Sequence, residues 1–155
     1  MPSELRLVLR KERPDPTLER ILQKHELPSF SYFPFWELII RVGIAGVWSP
    51  SDIKAKVDTG AAVSLLPEWL IKSVSSFPSA GFNLYGVIKS KECRVPVKLG
   101  KCDLLLSDQF GNEITLSDCW VAVTGLPDTP VLLGMKDVLE RLKLEKRGEI
   151  LILSD

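Results

Sequence analysis

The chain has little histidine and little cysteine, and both shortages limit the chemistry that it can carry. His25 is the only histidine, and Cys93, Cys102 and Cys119 show no C-x-x-C spacing. The sequence therefore predicts no metal site and no nucleophilic cysteine–histidine centre, and we expect three reduced, largely buried thiols. Neither glycine-rich phosphate motif, G-x-x-x-x-G-K-[ST] or G-x-G-x-x-G, occurs, which argues against a nucleotide cofactor. An enzyme of this composition would depend on carboxylates or hydroxyls.

An excess of charge of either sign is also missing, since 20 Lys and Arg residues balance 20 Asp and Glu residues. Such a balance gives no electrostatic attraction to nucleic acid or to an anionic membrane. The first residues lack the apolar run of a signal peptide, and the apolar stretch Trp36 to Trp48 is interrupted by Arg41. We therefore expect a cytoplasmic protein without nucleic-acid or membrane partners.

The 155 residues, 45% of them hydrophobic, suffice for one well-packed domain. The first part of the chain differs from the rest: a charge-rich stretch is interrupted by Pro14-Asp-Pro16, and Thr17 can cap a short helix. We interpret residues 1–33 as an N-terminal arm or extension and residues 34–155 as the globular domain.

The globular part alternates apolar and polar residues with a period of two, which is typical of half-buried strands. Trp36 to Ala45 predicts a first strand, and Ile53 to Val57 predicts a second strand that leads directly into Asp58. Lys136–Leu144 has helical spacing and predicts one late helix. The pattern indicates an all-β barrel or sandwich. Further short strands are predicted at Val95–Leu99, Leu104–Leu106, Glu113–Leu116, Trp120–Val123 and Ile150–Leu153.

The most informative segment runs from Lys56 to Pro67 and contains Asp58-Thr-Gly60 where an apolar strand ends. Gly60 allows the backbone to turn tightly, and Thr59 offers a hydroxyl to tie the turn to its neighbours. By itself the tripeptide is also an ordinary turn, which average composition gives by chance in roughly 3% of chains of this length.

A second motif strengthens the first, because Pro130-Val-Leu-Leu-Gly134 is followed by Asp137-Val-Leu-Glu-Arg-Leu142. Together the two segments resemble the catalytic loop and the late supporting strand of the retropepsin-like aspartic proteases. The resemblance covers about residues 34–153 and implies an all-β acid-protease barrel with one short C-terminal helix. Two departures stand out: the arginine that often follows the late glycine is replaced by Met135, and the flap region contains only Gly86.

The resemblance implies an aspartic endopeptidase that needs no cofactor and cleaves extended peptides or unfolded proteins. Two carboxylates must share one proton in such a site, and this chain has only one Asp-Thr-Gly, so a homodimer is expected. Asp58, Thr59 and Gly60 are then catalytic, with Ala61 and Ala62 lining the cleft. The flap residues that contact the substrate are expected to be Tyr85, Gly86, Val87 and Ile88.

Two alternatives stay open at the level of the sequence. The chain is also compatible with a catalytically silent dimerisation or peptide-binding module of the same fold, or with an unrelated all-β domain whose Asp58-Thr-Gly60 is only a turn. The bond Phe33-Pro34 is a candidate cleavage site for release of the arm, although an arm that stays docked is the favoured interpretation.

Overall fold

The structure, a computed structural model, describes residues 3–12, 16–26, 33–72, 80–85, 94–126 and 129–155. It is built mainly from strands. The strands are β1 (Glu4–Glu12), β2 (Phe33–Ile44), β3 (Val47–Trp48), β4 (Ile53–Val57), β5 (Ser64–Pro67), β6 (Ala80–Tyr85), β7 (Arg94–Ser107), β8 (Glu113–Thr124), β9 (Leu132–Leu133), β10 (Lys143–Arg147) and β11 (Ile150–Ser154). The helices are α1 (Pro16–Lys24), α2 (Glu68–Lys72) and a single 3-10 turn, Leu139–Arg141.

Six of these strands close into a barrel, in the order β2-β4-β9-β5-β8-β7 and back to β2. Two of the pairings are parallel, β4 with β9 and β5 with β8, and the other four are antiparallel. The parallel pairing of β4 with β9 brings the ends of these two strands side by side. It places Asp58 next to the late apolar segment. The predicted all-β barrel is confirmed.

The predicted alternation in the first two strands is also confirmed. Leu38, Ile40 and Val42 of β2 are buried in the main core, and Ala55 of β4 is buried with them. The two long strands β7 and β8 each cover a pair of segments that the sequence predicts as separate short strands. A register irregularity between Cys102 and Leu104 marks the position where β7 departs from a regular ladder.

Strand β1, in the N-terminal segment, is part of the sheet. Strand β1 pairs with β11 over one half and with β2 over the other, and its Leu5 and Leu7 lie in the main core. Leu5 and Leu7 alternate with Glu4 and Arg6, so the start of this charge-rich stretch carries the period of a half-buried strand. Phe33 and Pro34 lie inside β2, opposite Glu12 and Lys11.

The predicted C-terminal helix is present but shorter than the expected Lys136–Leu144. Asp137 has a left-handed backbone with φ of 60°, and Leu142 is extended, so only Leu139–Arg141 forms a 3-10 turn. The following residues pair with β11 as strand β10. No helix in the described part of the chain is long and apolar enough to cross a membrane. The cytoplasmic location stays a prediction.

Candidate active site

Asp58 follows the last residue of β4 and is held there by a backbone contact. Its N–H donates to the carbonyl oxygen of Leu133 at 2.9 Å, which continues the parallel pairing of β4 with β9. One step earlier, the N–H of Lys56 donates to the carbonyl oxygen of Val131 at the same distance, 2.9 Å. The predicted support of Asp58 by the late apolar segment is confirmed.

The turn after Asp58 is closed by the carboxylate itself. The N–H of Gly60 donates to Oδ1 of Asp58 at 2.9 Å, and the N–H of Ala61 donates to the Asp58 carbonyl oxygen at 3.2 Å. The bond from Gly60 fixes one carboxylate oxygen and orients the side chain relative to the loop. Asp58 is partly buried, whereas Thr59 and Gly60 are exposed. The tip of the loop is therefore accessible to a second molecule.

The residues after β9 brace the far side of this loop. The N–H groups of Met135 and Lys136 donate to the carbonyl oxygens of Ala61 and Ala62, each at 2.9 Å. Because these bonds join main chain to main chain, they set the path of the loop independently of its small side chains.

Gly134 lies where the end of β9 passes close to the backbone of the Asp58 loop. A Cβ atom at this position would stand 2.7 Å from the Ala61 carbonyl oxygen and 2.7 Å from the Val63 carbonyl group. The Gly134 N–H donates to the hydroxyl oxygen of Ser64 at 2.9 Å, and Ser64 is fully buried. The glycine is required here by space, since no side chain fits between the two backbones.

Sequence reasoning assigned no role to Ser64, Asp137 or Arg141, although all three support the loop or the segment that braces it. Asp137 is only 7% exposed, and its Oδ1 lies 3.0 Å from Nη2 of Arg141. The N–H of Trp120 donates to Asp137 Oδ2 at 2.9 Å and is the main reason why the pKa of this carboxyl lies below its ordinary value. Asp137 stands three residues after the late glycine in the sequence. This position close to the second motif was the signal from which a role for Asp137 could have been predicted.

The structure brings Asp58, Thr59, Gly60, Ala61 and Ala62 together in one loop. Tyr85 is the last residue of β6, where it pairs with Arg94 of β7. The predicted flap residues Gly86, Val87 and Ile88 lie outside the described residues, so the flap stays a prediction. Within the described residues, no group of three His, Cys, Asp or Glu side chains could hold a metal ion.

A groove among the described residues lies away from Asp58. Its volume is about 880 Å³, and its lining includes Arg6, Phe110, Glu113 and Ile150. Its lining includes no residue of the Asp58 loop or of the segment that braces it.

The chain was compared with protein families and with proteins of known function or structure. No family model and no curated protein matches it. A solved structure does match, described as the crystal structure of a retropepsin-like aspartic protease from Rickettsia conorii. The similarity covers 99% of this chain and 92% of that one, with a TM-score of 0.51 and 18% sequence identity. At this identity the likeness concerns architecture, and the chain has the fold of the retropepsin-like aspartic proteases.

Proposed function

We propose that the protein is an aspartic endopeptidase that acts as a homodimer. The observation that carries this proposal is the placement of Asp58-Thr-Gly60 in a loop braced by the Gly134 segment, within a retropepsin-like fold.

The proposed dimer follows from the number of carboxylates. The sequence has one Asp-Thr-Gly. The similar tripeptide Asp128-Thr-Pro130 has proline in place of the glycine. A pair of carboxylates that share one proton therefore needs Asp58 from each of two chains. The exposed tip of the loop at Thr59 and Gly60 is available for this contact.

In the proposed mechanism, the ionised Asp58 of one subunit takes a proton from a water molecule as its oxygen attacks the peptide carbonyl carbon. The protonated Asp58 of the other subunit donates a hydrogen bond to the carbonyl oxygen. The Asp58 that took the proton from water then gives it to the peptide nitrogen as the C–N bond breaks, which leaves a carboxylic acid, an amine and the carboxylate pair in its starting state.

The other residues of the loop take supporting roles in this proposal. Thr59 ties the two loops together across the dimer axis, and Gly60, Ala61 and Ala62 face the substrate backbone. Tyr85, Gly86, Val87 and Ile88 form the flap over a substrate held as an extended strand. The substrates are extended peptides or unfolded proteins in the cytoplasm.

The decisive experiment compares the wild-type protein with Asp58→Asn on a mixture of unfolded proteins from about pH 4 to pH 7, with products identified by mass spectrometry. Asp52→Asn is the matched control, since Asp52 is an exposed carboxylate paired with Arg41. We expect Asp58→Asn to reduce turnover by at least about 10²- to 10⁴-fold and Asp52→Asn to leave it unchanged.

The concentration dependence separates a dimeric enzyme from a contaminant. Below the dissociation constant of the dimer, the rate should rise faster than linearly with protein concentration. Equal cleavage by wild type and Asp58→Asn would refute the proposal. Absence of cleavage by a confirmed dimer would favour the silent module that binds peptides or dimerises without chemistry.

A further inference from the structure

The segment that braces the Asp58 loop is anchored at Asp137, in addition to the bonds from the Leu139 N–H to the Gly134 carbonyl oxygen at 3.2 Å and from the Glu140 N–H to the Met135 carbonyl oxygen at 3.0 Å. Asp137 follows Met135 and Lys136 directly, and these two residues donate their N–H groups to Ala61 and Ala62. Any movement of the Asp137 backbone therefore moves the two donors that fix the loop.

Each polar group of Asp137 has a partner. Its N–H donates to Glu140 Oε1 at 2.8 Å, and its carbonyl oxygen accepts from the Cys119 thiol at 3.5 Å. Its carboxylate accepts from the N–H of Trp120 at 2.9 Å and from Arg141, whose Nη2 lies 3.0 Å from Oδ1. All four partners lie outside the bracing segment: two anchor it to β8 and two to the 3-10 turn.

The backbone of Asp137 adopts an unfavourable conformation in order to make these contacts. Its φ of 60° lies in the left-handed region, which costs a residue other than glycine free energy. Such a conformation persists only where the surroundings determine it, and here the side chain accepts from Trp120 and Arg141 and also lies 3.6 Å from Nζ of Lys136.

Arg141 extends the anchor to the preceding residues of β8. Its guanidinium donates to the carbonyl oxygens of Ser117 and Asp118 at 2.6 and 3.3 Å. The resemblance leads one to expect an arginine directly after Gly134, but that position is Met135. Arg141, seven residues after Gly134, holds the bracing segment instead.

We infer that Asp137 is a positioning residue for the Asp58 loop: its carboxylate, tied to Trp120 and Arg141, holds the Met135 and Lys136 donors against Ala61 and Ala62. The inference rests on the proposed peptidase function and adds a residue outside the Asp-Thr-Gly motif on which turnover depends.

The test uses Asp137→Gly and Asp137→Asn. Glycine removes the carboxylate but accepts the left-handed backbone without strain, so the variant keeps its fold while it loses the anchor. Asparagine keeps an oxygen for the Trp120 N–H but loses the charge that pairs with Arg141. Glu145→Ala is the matched control, because Glu145 pairs with Arg147 at 3.0 Å on β10, away from the loop.

We expect kcat to fall by about tenfold to a hundredfold in Asp137→Gly and by less in Asp137→Asn, with KM within about twofold of wild type in both. Glu145→Ala should match wild type. Rates are compared at concentrations where the rate per mole of protein no longer rises. Unchanged kcat in Asp137→Gly would overturn the inference.

Amide hydrogen exchange supplies a readout that needs no activity. In Asp137→Gly the amides of Met135 and Lys136 should lose protection, and so should that of Trp120, whose N–H loses its acceptor, while the other amides of the β7–β8 ladder keep it. Retained protection would overturn the inference. If the wild-type protein has no peptidase activity, the proposed function fails and the catalytic role fails with it, whereas exchange still decides whether Asp137 holds the loop.

Discussion

The N–H of Gly134 donates to the hydroxyl oxygen of Ser64 over 2.9 Å, although 70 residues separate the two in the chain. The bond joins the start of β5 to the end of β9, the two segments that flank the Asp58 loop. Ser64 is fully buried, so water cannot replace it as the acceptor.

Ser64→Ala should therefore leave the Gly134 N–H without a partner and lower the free energy of unfolding by about 1–3 kcal/mol. Ser49→Ala is a close match, because Ser49 is equally buried and its hydroxyl accepts from the Val42 N–H at 3.0 Å. Both variants should lose similar stability in urea, but only Ser64→Ala should also lose peptidase turnover. Equal turnover in the two variants would contradict a role for this bond in the site.

The lack of space at Gly134 gives a second prediction. Gly134→Ala puts a methyl group 2.7 Å from main-chain atoms of Ala61 and Val63, which cannot move without the loop. We expect a loss of about 1–3 kcal/mol and an inactive enzyme.

Gly125→Ala is the control for that substitution. Its methyl group would also meet an atom at 2.7 Å, but that atom is Oε2 of Glu68, the end of a flexible side chain. The loss should stay within about 0.5 kcal/mol. The urea midpoints of Gly134→Ala and Gly125→Ala measure the two losses of stability. Equal losses would show that the backbone around Gly134 can move to accept a methyl group.

The strands next to the site were predictable because they are half-buried. Alternation places Leu38, Ile40 and Val42 on one face of β2, and the run Ile53 to Val57 gives the bounds of β4 correctly. Asp58 could be located because an apolar strand leads directly into Asp-Thr-Gly.

Other features depend on contacts that the sequence does not display. Strand β10, Lys-Leu-Glu-Lys-Arg, lies at the edge of the sheet and is largely exposed, so it has no apolar alternation. Its first residues instead complete a helical pattern that starts at Lys136. The roles of Ser64 and Asp137 depend on backbone partners in other strands, and no local propensity reports such partners.

Asp108 gives a prediction about pH. Burial raises the pKa of this carboxyl, but hydrogen bonds from the N–H of Arg6 and from Asn112 and Phe110 outweigh burial and leave the pKa lowered. A folded pKa below the unfolded value of about 3.9 means that the stabilisation is complete above that value and is lost as pH falls through the folded pKa.

Asp108→Asn should consequently cost about 1–3 kcal/mol near neutral pH, because it removes the charge that accepts these bonds. The difference from wild type should shrink as the pH falls from about 3.9 through the lowered folded pKa, since the carboxyl is protonated first in the unfolded chain and then in the folded protein. Asp52→Asn, at an exposed ion pair, should cost less than about 1 kcal/mol. A cost for Asp108→Asn that does not change with pH would show that the charge is unimportant. Urea unfolding of wild type and the two variants, from neutral pH to below about 3.9, measures these differences in stability.

The two described cysteines should be unreactive in the folded protein. Cys102 and Cys119 are facing partners in β7 and β8, and both are buried. Burial raises the pKa of both thiols, that of Cys119 to about 11 although Arg141 opposes the shift. Because the thiolate is the reactive form, little of either group is available at neutral pH.

A Cys93→Ser variant leaves only these two thiols, since the sequence has 3 cysteines. At about pH 8 an aromatic disulfide reagent should label neither thiol in native protein within minutes and should label both after denaturation. Because Cys119 donates to the carbonyl oxygen of Asp137, its labelling should accelerate in Asp137→Gly, while that of Cys102 changes less. Rapid labelling of the native protein would contradict the buried β7–β8 pair. Equal acceleration at both thiols would indicate general loosening of the barrel rather than release of the Asp137 anchor.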